Sequence, residues 1–240
     1  MRLNRFYLPV DFNTDQIVLK DQALLQQWRN VLRLAVGENI VLFDGSGNEV
    51  EAEIMSLNKD YGELKITARR LNDAETKVHA ILYCAILKKE NFEWVVQKAT
   101  EVGVSEIVPI ITERTIKLGL KSERLALIIK EATEQSGRGV IPIIHDAQTF
   151  TEALLSAKAN TQNFICQISS STILEACEPV NSDLNIKPKI GIFIGPEGGW
   201  SDKEIEQAGA VGVQAISLGP RVLRGETAAI IASYLICSFQ

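Results

Sequence analysis

Histidine is nearly missing from this 240-residue chain, which has only His79 and His145. Neither stands beside a second ligand candidate. The four cysteines, Cys84, Cys166, Cys177 and Cys237, show no paired spacing of the metal-binding kind. A protein-held metal, zinc above all, is therefore not expected. Cys84, Cys166 and Cys237 lie inside apolar runs, the setting of reduced, buried thiols in a cytoplasmic protein. There is no Gly-x-Ser-x-Gly and no reactive-cysteine pattern, so covalent catalysis has no support. No apolar run is long enough to cross a bilayer. The start, MRLNRFYLPVDFNTD, lacks the apolar core and small residues of a signal peptide. Internal repeats and low-complexity stretches are also missing.

Basic charge is in deficit, with a formal net charge of -5. That argues against nucleic-acid binding over the whole surface, because phosphate contacts need Lys and Arg. A local patch can survive inside an acidic total, and the arginines do cluster: Arg2 with Arg5, Arg29 with Arg33, Arg69 with Arg70. Such clusters are also ordinary solvated faces. The remaining composition, 46% hydrophobic and 23% charged, is that of a globular protein.

Residues 1 to about 70 read mostly as strands. RFYLP and QIVL are short apolar stretches, ENIVLFDGSGNEVEAEIMSL is a hairpin around Asp44-Gly45-Ser46-Gly47-Asn48, and YGELKITARRL alternates again. One helix interrupts them, DQALLQQWRNVLRL, whose apolar face is predicted to carry Leu24, Leu25, Trp28, Val31 and Leu32. This is a small β-barrel or curled sheet. The polar segment Leu71 to Lys77 reads as a linker. From Val78 strands and helices alternate, which predicts an α/β domain with a largely parallel sheet covered on both faces. Ligands of such sheets sit beyond the C-terminal ends of the strands.

Two loops fall there. Gly195-Pro196-Glu197-Gly198-Gly199 follows the strand IGIFI and precedes Ser201 and Glu204, a capping-box pair that opens a helix. Its glycines let backbone groups come close to a ligand. The same residues also suit a plain strand-to-helix turn. Phosphate is a poor ligand here, since no Lys-Ser/Thr follows the glycines and Glu197 would repel it. The second loop, LGPRVLRGETAA from Leu218 to Ala229, brings Arg221 and Arg224 before a helix whose first turn carries Glu226. Two such loops from consecutive strands are expected to lie side by side and form one pocket. A third cluster, Glu134, Gln135 and Arg138, ends a helix before the strand IPII and also fits an ordinary glycine-capped terminus.

Taken together, GPEGGW, LGPRVLRGETAA, EQSGR and the N-terminal RFYLP resemble the RsmE family, the 16S ribosomal RNA uridine-N3 methyltransferases of the SPOUT class. The resemblance covers essentially the whole chain. It implies a PUA-like RNA-binding β-barrel over residues 1–72 and a SPOUT methyltransferase domain over 73–240. The second domain is then an α/β parallel sheet with a C-terminal trefoil knot, which periodicity alone would not show. The resemblance also implies a homodimer, S-adenosyl-L-methionine as cofactor, and 16S rRNA of the assembled small subunit as partner. Cofactor contacts are carried over to Gln167, Ile168, Ile194, Gly195, Pro196, Glu197, Gly198 and Gly199. From the second loop they are Leu218, Gly219, Arg221, Val222, Leu223, Arg224, Thr227 and Ala228. Arg138, Arg224 and Glu226 are the expected catalytic residues, and Arg2, Arg5, Arg33, Gln135 and Arg138 the expected RNA contacts. The alternative is a non-catalytic rRNA- or ribosome-binding protein that retains the fold.

Overall fold

The structure, a computed structural model, describes residues 3–116, 119–168 and 187–238. Arg2 and Cys177 lie outside them. The chain forms two compact units: Met1–Glu75 with Thr133–Ile141, and Thr76–Ala132 with Pro142–Gln240.

The first unit is a five-stranded sheet of β1 (Arg5–Tyr7), β2 (Gln16–Leu19), β3 (Asn39–Phe43), β4 (Asn48–Leu57) and β5 (Gly62–Leu71), in the order β1-β3-β4-β5-β2. β1 and β3 run parallel and the other pairs antiparallel. Register shifts at Glu51/Ala52 and Ile54/Ser56 interrupt the long β4–β5 ladder, and bulges of this kind bend a sheet around a core. The buried set includes Phe6, Leu25, Trp28, Ile40, Leu42, Ile54 and Leu64.

The interrupting helix departs from its expected face. α1 (Gln22–Gln26), opened by the Asp21 side chain, passes directly into a π-helical stretch, Gln27–Leu32. The wider turn changes the phase of the side chains, since π-helical bonds skip one residue more than α-helical ones. Leu24, Leu25 and Trp28 are buried as expected, but Val31 is 71% exposed and Leu32 is exposed too. Arg33 ends the stretch in the left-handed region, at φ 55°.

Residues 133–141, the last turn of α3 (Ser122–Ser136) and the chain after it, are pinned to this sheet. Tyr7 N donates to Glu134 Oε1 at 2.9 Å and Gly47 N to the Gly139 carbonyl at 3.1 Å. Asn72 Nδ2 donates to the Gly137 carbonyl at 3.0 Å.

The second unit is built on an all-parallel sheet. Its strands are β6 (His79–Ala85), β7 (Glu106–Ile111), β8 (Ile143–Ile144), β10 (Gln162–Cys166), β11 (Lys189–Ile194) and β12 (Gln214–Ile216). They lie in the order β12-β10-β11-β6-β7-β8, and β9 (Gln148–Thr149) also pairs with β7. One face packs on α4 (Phe150–Ala157) and α5 (Asp202–Ala210) through Tyr83, Phe150, Leu154, Phe193 and Ala208. On the other face, α2 (Lys89–Val102) packs against α6 (Gly225–Cys237), and α6 touches β11 and β6. Phe92, Val95, Val96 and Ala99, the expected apolar face of α2, are fully buried, and Gly103 caps it at φ 106°. Both faces being covered explains the unbroken apolar run of β6.

Strand order places the site. The chain runs outward from β6 to β7 and β8, then crosses over to β10; β11 fills the place between β10 and β6, and β12 adds outside β10. The direction of winding therefore reverses at β6, and the crevice beyond the strand ends at such a reversal is where α/β sheets take ligands.

Candidate active site

At the end of β11 the chain enters Gly195-Pro196-Glu197-Gly198-Gly199-Trp200. Gly199 sits at φ 70°, a conformation that disfavours any side chain, and its N–H closes a turn on the Pro196 carbonyl at 2.9 Å. A Cβ on Gly195 would come within 3.0 Å of the Trp200 ring. That ring is fixed in turn, since Trp200 Nε1 donates to the Cys166 carbonyl at the end of β10, 2.9 Å away. On its other side the loop is held by Arg114, whose Nη1 donates to the carbonyls of Gly198 at 2.8 Å and Trp200 at 3.2 Å. The capping box is present: Ser201 N donates to Glu204 Oε2 at 2.8 Å and Glu204 N to Ser201 Oγ at 3.3 Å. Glu204 Oε1 also accepts from Glu113 N at 2.9 Å, so one carboxylate joins the helix start to the segment after β7.

The second loop leaves β12 through Ser217 and turns at Gly219, φ 113°. Ser217 Oγ accepts from Gly219 N and donates to the Gly219 carbonyl. Arg224 then caps α6 through its backbone only, and Glu226 falls in the first turn. Gly225 allows close packing here, because a Cβ would lie 2.9 Å from Leu87 and 3.7 Å from the Gly195 carbonyl.

Between these loops is a cavity of about 750 Å³, within the range of small-molecule and cofactor sites. Its wall contains Gln167, Ile168, Ile194, Gly195, Pro196, Glu197, Gly198, Gly199, Leu218, Gly219, Arg221, Val222, Leu223, Arg224 and Ala228, together with Glu226. Thr227, expected among the contacts, is absent from this wall: as the third residue of α6 it lies one step around the helix from Glu226, which does face the cavity. The two loops also do not come from adjacent strands. β10 lies between β11 and β12, so its end, Gln167 and Ile168, sits between the two loops. Lys88, Asn91, Cys166, Trp200, Ser217 and Gly225 line the cavity as well. Lys88 and Asn91 come from the end of β6 and the start of α2, a strand end with no glycine to mark it.

The electrostatics are uneven. Glu226 has a side chain only 6% exposed, while Arg224, 4.0 Å from its Oε1, is 86% exposed. Asn91 Nδ2 donates to Glu226 Oε2 at 3.4 Å. Burial pushes the Cys166 thiol up to about 12, and burial with the nearby Glu197 charge pushes Cys84 higher still. Both thiols are therefore neutral at physiological pH and unsuited to attack. Among the described residues no group of three or more His, Cys, Asp or Glu is placed to hold a metal ion.

The cavity lining belongs to the second unit, whereas Gln135 and Arg138 belong to the first. Arg138 is buried there, its Nε and Nη2 reaching the two oxygens of Glu75 at 3.2 and 2.8 Å. Arg5 is also inside that unit. Its side chain, 9% exposed, pairs with Glu49 Oε2 at 2.8 Å, donates to the Arg138 carbonyl and lies over the Phe43 ring. Arg33 is exposed. Of the expected RNA contacts that are described, Arg33 is thus the one arginine presented to solvent.

The chain matches the family described as RNA methyltransferase domain over residues 74–237, and the RNA methyltransferase PUA domain over 29–67. It is 33% identical to Ribosomal RNA small subunit methyltransferase E of Rickettsia conorii, over 97% of this chain and 94% of that protein. The Bacillus subtilis protein of the same name is 29% identical over 85% of this chain and 82% of its own length. Among solved structures, Ribosomal RNA small subunit methyltransferase E from Neisseria gonorrhoeae, bound to S-adenosyl methionine, superposes with a TM-score of 0.86. It is 33% identical, covering 98% of this chain and 97% of the other. A Legionella pneumophila methyltransferase in complex with the same cofactor gives 0.86 at 32% identity, covering 98% and 97%.

Proposed function

The chain belongs to the ribosomal RNA small subunit methyltransferase E family, and from that premise we propose that it methylates N3 of a uridine in 16S rRNA, with S-adenosyl-L-methionine in the cavity between the β11 and β12 loops. One observation carries the reading: a glycine-built cavity at the strand-order reversal whose most buried charge is a carboxylate, Glu226. The lining fits this cofactor. It carries no phosphate, so a glycine loop without lysine is no defect, and its sulfonium is a cation that a buried carboxylate favours. Leu218, Leu223 and Ile194 offer apolar surface for the adenine, and the loop backbone offers donors and acceptors for its edge.

When bound, S-adenosylmethionine supplies an electrophilic methyl group. The remaining work falls to this chain. The fixed loops hold the reacting partners in line, which is where most of the rate of such a transfer comes from. Arg224, exposed at the cavity mouth, is assigned the stabilisation of negative charge on the uracil oxygens as N3 loses its proton. Glu226 Oε is assigned the acceptance of that proton. Arg138, committed to Glu75, is read as a structural residue.

The remaining expectations belong to the same reading: domains divided near residue 72, a C-terminal knot of the SPOUT type, a cytoplasmic enzyme, and action on the assembled small subunit. A homodimer is supported by apolar side chains left exposed on two helices that pack together, Trp94 on α2 with Ile231 and Tyr234 on α6. RNA contact through the first unit is supported by Arg33. Among the described residues no helix is long and apolar enough to cross a membrane.

The test is transfer of labelled methyl from S-adenosylmethionine to unmodified small subunits and to free 16S rRNA, with the modified position mapped. Label on N3 of one uridine, richer on subunits, is expected. Cofactor binding without transfer to either substrate would favour a non-catalytic RNA-binding protein.

A further inference from the structure

The polar groups at the α2–α6 corner of the cavity form a row. Glu226 occupies its middle, with its carboxylate nearly buried. Asn91 meets it at Oε2, 3.4 Å away, and Arg224 at Oε1, 4.0 Å away. The two donors therefore flank the carboxylate on different oxygens. All three residues line the cavity. Asn91 carries a second amide N–H beyond the one it gives Glu226, and the Arg224 guanidinium is largely in solvent. Read across, the row is donor, acceptor, donor.

Each nucleobase presents its own sequence along the pairing edge, and enzymes that act on an extruded base read that edge by hydrogen bonds. Uracil shows acceptor, donor, acceptor: a carbonyl, N3–H, a carbonyl. Cytosine shows donor, acceptor, acceptor, and guanine acceptor, donor, donor. Only uracil complements a donor–acceptor–donor row without leaving a buried carboxylate against an acceptor, and a mismatch of that kind is heavily penalised.

We infer that Asn91 is a specificity-determining residue: with Arg224 and Glu226 it recognises the imide edge of the target base, Asn91 donating to one ring carbonyl while Glu226 faces N3–H. This rests on the reading of the cavity as a methyl-transfer site and adds to it the residue that selects the base. Asn91 precedes the buried face of α2 that begins at Phe92, so its backbone is set by packing rather than by a loop.

The experiment pairs protein and substrate changes. Wild type, Asn91→Asp and Asn91→Ala are titrated with S-adenosylmethionine by calorimetry and assayed on small subunits reconstituted with 16S rRNA carrying uridine, 2-thiouridine or 4-thiouridine at the mapped position. Cofactor affinity is expected to stay within about threefold of wild type for Asn91→Ala, and transfer by Asn91→Asp, whose added charge lies beside Glu226, is read at saturating cofactor. Methyl transfer should fall about tenfold for Asn91→Ala and on the order of a hundredfold for Asn91→Asp, where a donor becomes an acceptor. Sulfur, a poor acceptor, should slow the wild type at one of the two carbonyl positions and add no further loss to Asn91→Ala at that position. Losses that simply multiply at both positions would overturn the assignment, because Asn91 would then touch neither carbonyl. A weakened cofactor affinity with transfer at saturation intact would also overturn it, placing the corner against the cofactor. If the wild type itself neither binds the cofactor nor transfers methyl, the reading of the cavity fails before this one is tested.

Discussion

Arg114 Nη1 lies 2.8 Å from the carbonyl of Gly198 and holds the β11 loop from the turn that follows β7, a strand two places away in the sheet. Arg114 does not line the cavity, so its effect on a ligand passes through the loop. Arg114→Ala is expected to weaken cofactor binding about three- to tenfold, a modest loss because the side chain is exposed and such bonds compete with water. Turnover at saturating cofactor should stay near wild type. Calorimetry alongside steady-state kinetics checks this; an unchanged affinity would show that the loop holds its shape without the clamp.

Two glycines offer a matched comparison. Gly199, at φ 70°, closes the β11 loop, whereas Gly209 lies in α5 with open space where a Cβ would go. Gly199→Ala should cost about 1–2 kcal/mol through the left-handed conformation and lower cofactor affinity. Gly209→Ala should stabilise by about 0.5 kcal/mol, since alanine replaces glycine in the last turn of a helix with open space around it, and leave binding alone. Thermal melts and cofactor titrations of both variants make the check.

Glu106 is clamped between His79 Nε2 at 2.6 Å and His145 Nε2 at 2.7 Å. Burial pushes its carboxyl up, but the hydrogen bonds and charges of the two histidines outweigh it, and the net displacement is downward. A carboxyl lowered in the folded state adds stability above its unfolded pKa, and that stability is lost as pH falls through the folded value. The acid limb of the melting curve below about pH 4.5 should therefore flatten in Glu106→Gln relative to wild type. Parallel limbs would show that the clamp contributes nothing to acid sensitivity.

Arg5 and Arg33 should separate stability from RNA contact. Arg5 is paired with the nearly buried Glu49, which also accepts from Arg70 and from Asn72 Nδ2 at 2.8 Å. Breaking such a buried pair costs about 3–5 kcal/mol, so Arg5→Ala should lower the melting temperature of the first unit sharply. Arg33→Gln should leave melting unchanged, weaken binding to small subunits and make its salt dependence shallower. If Arg33→Gln binds with an unaltered salt slope, the RNA contact lies elsewhere.

Much of the site could be read directly from the chain because its signals are local. Gly195 to Gly199 and Leu218 to Ala228 announce themselves by glycine, proline and the cap at Ser201, all within a few residues of a strand end. Asn91 and Lys88 carry no such mark. They enter the cavity because β11 pairs with β6, a contact between residues more than a hundred apart. The order β12-β10-β11 is equally invisible to periodicity, which predicts strands and not their neighbours. The return of Thr133–Ile141 to the first sheet depends on single bonds such as Tyr7 N to Glu134. Val31 and Leu32 fall outside the buried face because a 3.6-residue period does not hold through a π-helical stretch.

The placement of α6 bears on when the protein can work. After β12 at one edge of the sheet the chain comes back to the middle, and α6 settles against β11 and β6 with Glu226 in its first turn. Synthesis runs from the N-terminus, so the glycine loop after β11 emerges from the ribosome well before Gly225–Cys237. Until that helix has cleared the exit tunnel and docked, the cavity lacks its buried carboxylate. A nascent chain stalled at Arg224 would carry most of the sheet and still lack Glu226, so the cavity gains its buried carboxylate only after α6 has been made and docked.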